Sequence, residues 1–190
     1  MRLIVAITGA SGVIYSKRLL EVLKGKHEVH LVVSKAGEEI LKHELGTTKG
    51  ELRKLVSNIY DEDNLGSSLA SGSFTTDGMI IVPCSMKTIA GIATGYSENL
   101  ILRAADVTLK ERRKLILVPR ETPLSYVHLR NLSELAMQGV VIIPAMPAFY
   151  HKPEKIDDLV DFIVGKILDS LGISHNLFKR WSGYEANMNS

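Results

Sequence analysis

Short apolar runs rich in valine, isoleucine and leucine alternate along this chain with longer stretches whose apolar residues recur every three or four positions. The first pattern is that of strands buried on both faces, the second that of helices with one buried face. Residues 3–7, 29–33, 79–82, 115–118 and 140–143 read as strands. Residues 13–24 read as a helix with Val13, Leu19, Leu20 and Leu23 on its apolar face; 86–93, 100–112, 123–138 and 156–171 read as further helices. Ser34 can cap a helix after the second strand, and Gly139 ends the helix before the fifth. Residues 46–77 are polar and rich in Gly, Ser and Asp; they predict a short helix over 49–57 and a Ser/Gly-rich stretch over 66–73, but no strand. Alternation of this kind implies a parallel sheet covered on both sides: an α/β fold of three α/β/α layers, Rossmann-like and doubly wound. No repeat or linker divides the sequence, so residues 1–190 are expected to form one domain, closing in a C-terminal helical tail around Trp181.

Composition narrows the function classes. The formal net charge of +2 and the lack of any basic run of five or more give no reason to expect a nucleic-acid partner. The single cysteine, Cys84, leaves no internal disulfide and suits a reducing, cytoplasmic setting. The start from Met1 to Ile7 looks like the beginning of a signal peptide but reads as a first strand, because Thr8-Gly9-Ala10-Ser11-Gly12 stops it after five apolar residues. No apolar run approaches the ~20 residues that a membrane span requires, so no membrane partner is expected.

The chemistry gathers at the strand ends, where open α/β sheets bind ligands. The fourth strand runs from apolar residues through Pro119 straight into Arg120-Glu121. Charges rarely sit at the tip of a core strand without a partner or a task. The first strand ends in Thr8-Gly9-Ala10-Ser11-Gly12, a turn that lets backbone approach a ligand and opens a helix N-terminus to an anion. It is not Gly-x-Gly-x-x-Gly, and the second strand ends in Ser34-Lys35 with no acid for a ribose hydroxyl, which argues against NAD and leaves NADP open. The third strand ends in Pro83-Cys84-Ser85-Met86-Lys87-Thr88, whose hydroxyls suit a phosphate or a flavin edge and serve equally as a helix cap. Cys84 has no evident base and reads as an inert buried thiol. Arg103, Asp106 and Lys110 share one helical stripe, readable as a binding face or as a solvated ion-paired face. Pro144-Ala145-Met146-Pro147-Ala148-Phe149-Tyr150 predicts a rigid turn, with a cis bond as one option, that aims Phe149 and Tyr150. Asp157-Asp158-Leu159-Val160-Asp161 spells the magnesium motif of isoprenyl diphosphate enzymes, but it occurs once, in a helix's first turns, where acids favour the dipole. The six histidines have no metal-ligand spacing, and no metal is expected.

Five segments in this order and spacing resemble the UbiX flavin prenyltransferases: Thr8-Gly9-Ala10-Ser11-Gly12, Pro83-Cys84-Ser85-x-x-Thr88, the run from Arg103-Ala104-Ala105-Asp106-Val107 to Lys110-Glu111-Arg112-Arg113, Arg120-Glu121-x-Pro123-Leu124, and Pro144-Ala145-x-Pro147-Ala148-Phe149-Tyr150. The resemblance implies a flavodoxin-like Rossmann fold assembled as a dodecamer. It also implies transfer of a dimethylallyl group from dimethylallyl phosphate to N5 and C6 of reduced FMN, without a metal, giving prenylated FMN for a UbiD-type decarboxylase. On the same ground Gly9, Ala10, Ser11, Ser34, Ser85, Met86, Lys87, Thr88 and Arg120 would meet FMN. Tyr150 and Lys166 would meet the substrate phosphate with Arg103, Lys110 and Arg120, Arg103 and Lys110 coming from a neighbouring subunit. Glu121, held by neighbouring cations, would handle the proton, with Ser11 and Glu44 in support, and Trp181 would close an aromatic pocket. Two departures stand out: Lys166 occupies a position where relatives often carry arginine, and Leu65 falls near a pocket tryptophan of some members. The rival on the same fold, an FMN-dependent cysteine decarboxylase, carries an asparagine after the last strand, where this chain reads Pro144-Ala145-Met146-Pro147. A non-catalytic flavin carrier is the third reading; it leaves the Arg103/Lys110 stripe without a use.

Overall fold

The computed structural model describes residues 1–183. Six parallel strands, β1 (Arg2–Ile7), β2 (Glu28–Val33), β3 (Asn58–Asp61), β4 (Gly78–Cys84), β5 (Lys114–Pro119) and β6 (Val141–Ile142), form one sheet in the order β3-β2-β1-β4-β5-β6. The helices are α1 (Val13–Leu23), α2 (Lys35–Leu45), α3 (Lys49–Leu52), α4 (Met86–Ala93), α5 (Leu100–Lys110), α6 (Tyr126–Met137) and α7 (Ile156–Leu171). Alternation along β1 explains the three layers. Leu3, Val5 and Ile7 pack on one face with Leu19 and Leu20 of α1 and Ile163 and Ile167 of α7. Ile4 and Ala6 pack on the other with Ile89 of α4, Ala104 of α5 and Leu135 of α6. Both faces being covered, the central strands need continuous apolar sequence, which is what made them readable.

β3 is the strand that the apolar pattern did not predict. It lies at the edge, pairing only with β2 (Leu31↔Ile59, Val32↔Tyr60), and its residues are exposed or half-buried. An edge strand has one neighbour and little core to fill, so Asn58 and Asp61 are tolerated there. Without β3 the other five strands follow the flavodoxin order; with it the order is that of the dinucleotide-binding Rossmann sheet. Three helix boundaries also moved. The helix expected over 49–57 is α3 followed by a 3-10 turn over Arg53–Leu55. α5 stops at Lys110, where Glu111 caps it and Arg112 turns to φ 54. α6 begins after Ser125, whose hydroxyl accepts from the His128 N–H (3.3 Å), not at Pro123. The cis bonds precede Pro83 and Pro123, not Pro144 or Pro147.

The C-terminal tail is corrected too. Gly172 ends α7 in the left-handed region, and no helix follows in residues 173–183; residues 184–190 lie outside the described residues. The tail is clipped to α7 by side chains instead. Asp169 accepts from Arg180 (2.6 and 3.1 Å) and lies 3.1 Å from His175, and the Arg180 hydrogen bond holds its carboxyl below the usual aspartate range. Gly165 leaves the room this needs, since a Cβ there would come within 2.6 Å of the His175 ring.

Candidate functional site

The strand order reverses between β1 and β4, and at that switch point the crevice beyond the strand ends is the favoured ligand site. Thr8 joins its two sides. Its hydroxyl donates to the Pro83 carbonyl (2.9 Å) and accepts from the Ser85 N–H (2.8 Å), while Ser16 of α1 donates to the Val82 carbonyl (2.6 Å). Gly9 and Gly37 close the gap toward α2: a Cβ on Gly9 would sit 2.5 Å from Ala36 Cβ, and one on Gly37 2.7 Å from the Ile7 carbonyl oxygen. Ala10 is buried in this turn, while Gly9 and Ser11 are exposed.

The helices α1, α2 and α4 follow the three strands around this crevice, and each begins with N–H groups that have no partner within the helix. Two are already filled by the protein's own carboxylates. Glu44 accepts from Gly12 N–H (2.9 Å) and Val13 N–H (3.2 Å) at the head of α1. Glu62 accepts from Lys35 N–H (2.7 Å) at the head of α2, where Ser34 is occupied as a cap for Gly37, and its other oxygen takes the Asn99 amide (3.0 Å). The third, α4, is capped by hydroxyls alone. Ser85 accepts from Thr88 N–H (3.3 Å) and lies 3.0 Å from the Thr88 hydroxyl, and no acceptor among the described residues takes the Met86 or Lys87 N–H. In the register Cys84↔Pro119 the two strands end together, so Ser85 and Arg120 each stand one residue past the paired ends, and no carboxylate among the described residues pairs with Arg120. Free N–H groups, two hydroxyls and an unpaired guanidinium make an anion site.

Glu121 follows Arg120 and is exposed; among the described residues its carboxylate accepts only the neighbouring Thr122 N–H (3.1 Å). The cations expected to hold it are not supplied by the described residues of one chain. Glu44, expected beside Ser11 in a supporting catalytic role, is committed to the backbone of α1. Cys84 is buried, and burial pushes its thiol pKa far up, so it is not a nucleophile.

Beyond β6 an aromatic cluster forms. Tyr150 meets Trp181 (5.6 Å between centroids), Phe162 (6.0 Å) and His151 (5.7 Å), all edge to face, and His151 stacks on Phe162 at 5.4 Å. The Pro144–Pro147 turn aims Tyr150 into this cluster but leaves Phe149 70% exposed. Lys166, half-exposed on α7, lies 4.0 Å from Asp169. The magnesium-like acids are structural: Asp158 accepts from Glu154 and Lys155 N–H, and Asp161 holds Arg18 at 2.6 Å. No group of three metal-binding side chains occurs among the described residues.

Arg103 and Lys110 lie elsewhere. Arg103 is paired with Asp106 (2.9 Å) and Lys110 with Glu111 (2.6 Å). Together with Ala70–Ser73 they line an open cavity of about 510 Å³. Lys110 also adjoins Lys114, where β5 begins, whereas Arg120 follows the end of the same strand. One chain therefore does not bring Lys110 and Arg120 together.

The family model for flavoproteins matches residues 1–168. A flavin prenyltransferase UbiX of Methanocaldococcus jannaschii is 52% identical over 181 residues, which span 95% of this chain and 98% of that protein. The chain belongs to the UbiX flavin prenyltransferase family. Two solved UbiX structures share its backbone. A dodecameric FMN-dependent UbiX-like decarboxylase from Escherichia coli O157:H7 superposes with a TM-score of 0.94 at 45% identity, over 96% of this chain and all of that one. AnUbiX (PadA1), solved with FMN and dimethylallyl pyrophosphate, gives 0.94 at 46% identity, over 96% and 98%.

Sequence reasoning missed several parts of this UbiX site. The caps by Glu44 and Glu62 join residues about thirty positions apart, a spacing that carries no local signal. His151, Phe162 and Phe178 extend the aromatic cluster. Phe162 was hidden among the apolar residues of α7, and the Gly165 that admits Phe178 was the one available hint. Leu65, near the pocket tryptophan of some UbiX members, is 46% exposed.

Proposed function

We propose that this chain is a flavin prenyltransferase that joins a dimethylallyl group from dimethylallyl phosphate to reduced FMN. The observation that carries this reading is the crevice between β1 and β4, where no carboxylate among the described residues fills the head of α4 or pairs with Arg120. A flavin phosphate fits that anion site, with Ser85, Met86, Lys87 and Thr88 around it. Gly9, Ala10, Ser11 and Ser34 line the approach of the ring system. Reduced FMN supplies the nucleophilic N5 and then C6.

The chain's own residues supply the rest. As the allylic C–O bond breaks, its electron pair goes to the phosphate. Arg103, Lys110, Arg120 and Lys166, with the Tyr150 phenol, neutralise that growing charge in place of a metal; one preorganised contact of this sort is worth ~10²–10³ in rate. Tyr150 and Trp181 supply π faces for the allylic carbocation and keep water from it. Ring closure at C6 needs one proton delivered to the remaining double bond and another removed from C6; the departed phosphate and Glu121, whose carboxylate has no side-chain partner among the described residues, exchange them. Arg103 and Lys110 reach this site from a neighbouring copy. Large exposed apolar residues support such assembly: Tyr126, Met137 and Met146 are all more than 70% exposed, an apolar surface unusual on a protein that stays monomeric. A dodecamer like that of the Escherichia coli relative is the assembly proposed. The 190 residues act as one flavin-binding domain. The lone, buried thiol favours a cytoplasmic setting, and no helix among the described residues is long and apolar enough to cross a membrane.

The product, prenylated FMN, is passed to a UbiD-type decarboxylase. A coupled assay tests this reading: the protein, reduced FMN and dimethylallyl phosphate are incubated without oxygen, and the filtrate is added to an apo UbiD-type decarboxylase. Release of carbon dioxide that depends on all three components is expected; release equal to that with FMN alone would overturn the assignment.

A further inference from the structure

Residues 70–75 belong to no strand and, past the 3-10 turn Ser68–Ala70, to no helix, yet arginines collect their carbonyl groups. Arg103 Nε donates to Ala70 O (3.2 Å). Arg113 donates through Nη2 to Gly72 O (2.6 Å) and through Nη1 to Phe74 O (2.8 Å), and Arg2 donates to Thr75 O (3.2 Å). The Phe74 ring lies under the Arg2 guanidinium, 4.7 Å from its centroid, and edge-on to His30 at 5.0 Å. His30 is fully buried with both ring nitrogens engaged, one 2.9 Å from the Tyr60 hydroxyl and one 2.9 Å from Glu28, whose other oxygen holds Arg2 at 2.9 Å.

A surface loop can leave its carbonyls to water; here they are fixed by cations that are themselves fixed. The planar fork of Arg113 holds two carbonyls of alternate residues at once, a geometry that a lysine ammonium does not offer in one rigid plane. What the clamp holds is a wall. Ser71, Gly72 and Ser73 face Arg103 and Lys110 across the cavity described above. The fit is tight: a Cβ on Gly72 would collide with the Glu111 carboxylate and lie 3.2 Å from Lys110 Nζ. A shift of the strip therefore moves Lys110.

We propose that Arg113, backed by the Arg2–Phe74–His30 contacts, is a positioning residue for the prenyl-phosphate half-site made by Arg103 and Lys110. It touches neither flavin nor phosphate and acts through the 70–75 strip. The inference rests on the assignment of Arg103 and Lys110 to the substrate phosphate, and it predicts a selective defect, since the anion site at α4 lies at the carboxyl ends of the strands and Lys110 beside the start of β5.

The test uses the assembled full-length protein carrying Arg113→Lys. Loss of one charge-assisted hydrogen bond should raise KM for dimethylallyl phosphate roughly tenfold and lower kcat with it, because the same cations neutralise the departing phosphate, while FMN affinity stays unchanged. Measured by calorimetry, the affinity of the Lys110→Met protein for dimethylallyl phosphate should fall little further when Arg113→Lys is added, because both act on one wall. An unchanged KM, a parallel loss of FMN affinity, or additive effects would each overturn the proposal. Phe74→Leu, which removes the ring between Arg2 and His30, carries the same test if Arg113→Lys does not fold. Calorimetric binding of dimethylallyl phosphate is measured beside turnover. A wild-type protein that binds it but makes no prenylated flavin would overturn the functional reading, while the ratio of variant to wild-type affinity would still decide the role of Arg113.

Discussion

Arg120 and Glu121 are adjacent in sequence and, in the proposed mechanism, divide the work between them. Arg120 follows the end of β5 near the open head of α4, the proposed anion site, while Glu121 projects an exposed carboxylate that, among the described residues, accepts only the next backbone N–H. Replacing Glu121 by Gln keeps shape and hydrogen bonding to Thr122 and removes the proton acceptor. Glu121→Gln is expected to bind FMN with unchanged affinity, followed by flavin fluorescence quenching, and to stop before the ring-closed product, followed by absorbance of the released flavin. Full turnover would remove Glu121 from the chemistry. At this scale the sequence was most readable where charge interrupts an apolar run, as at Pro119-Arg120-Glu121. It was least readable where a side chain serves distant backbone. Glu44 is the instance: as a surface acid near the end of α2 it has no distinguishing mark, and its use as the cap of α1 exists only once the two helices lie side by side.

Among the elements, the β1 and β4 ends carry the site, and Thr8 couples them through one hydroxyl with a donor and an acceptor role. Thr8→Val keeps the shape and deletes both bonds, leaving the buried Pro83 carbonyl weaker by one donor and the Ser85 N–H unsatisfied. A loss of about 1–3 kcal/mol in unfolding free energy is expected, measured by urea titration, together with weaker FMN binding, because Ser85 and Thr88 are placed by that contact. Stability and FMN affinity equal to the parent's would show that the coupling is not needed. The strands and long helices were legible because burial on two faces, or on one, imposes a period on the sequence. β3 was not, since an edge strand of four residues imposes almost none, and its omission is what made the sheet read as five strands.

For the whole molecule, the proposed site takes residues from more than one chain. Lys110 and Arg120 stand at opposite ends of β5, so a site using both is shared between copies. Lys110→Met and Glu121→Gln chains, each inactive alone, should regain part of the activity when refolded together, because some mixed sites carry neither lesion. Mixing that restores nothing would confine the site to one chain. The one-chain pattern could show the stripe of Arg103 and Lys110 but not the distance separating it from Arg120, which depends on where α5 packs along the sheet. The central claim, that this chain prenylates a flavin, is tested most directly by mass spectrometry of the flavin after anaerobic incubation with reduced FMN and dimethylallyl phosphate. A flavin heavier by one dimethylallyl group less the hydrogen it replaces, formed without added metal, is expected; FMN of unchanged mass with both ligands bound would contradict this.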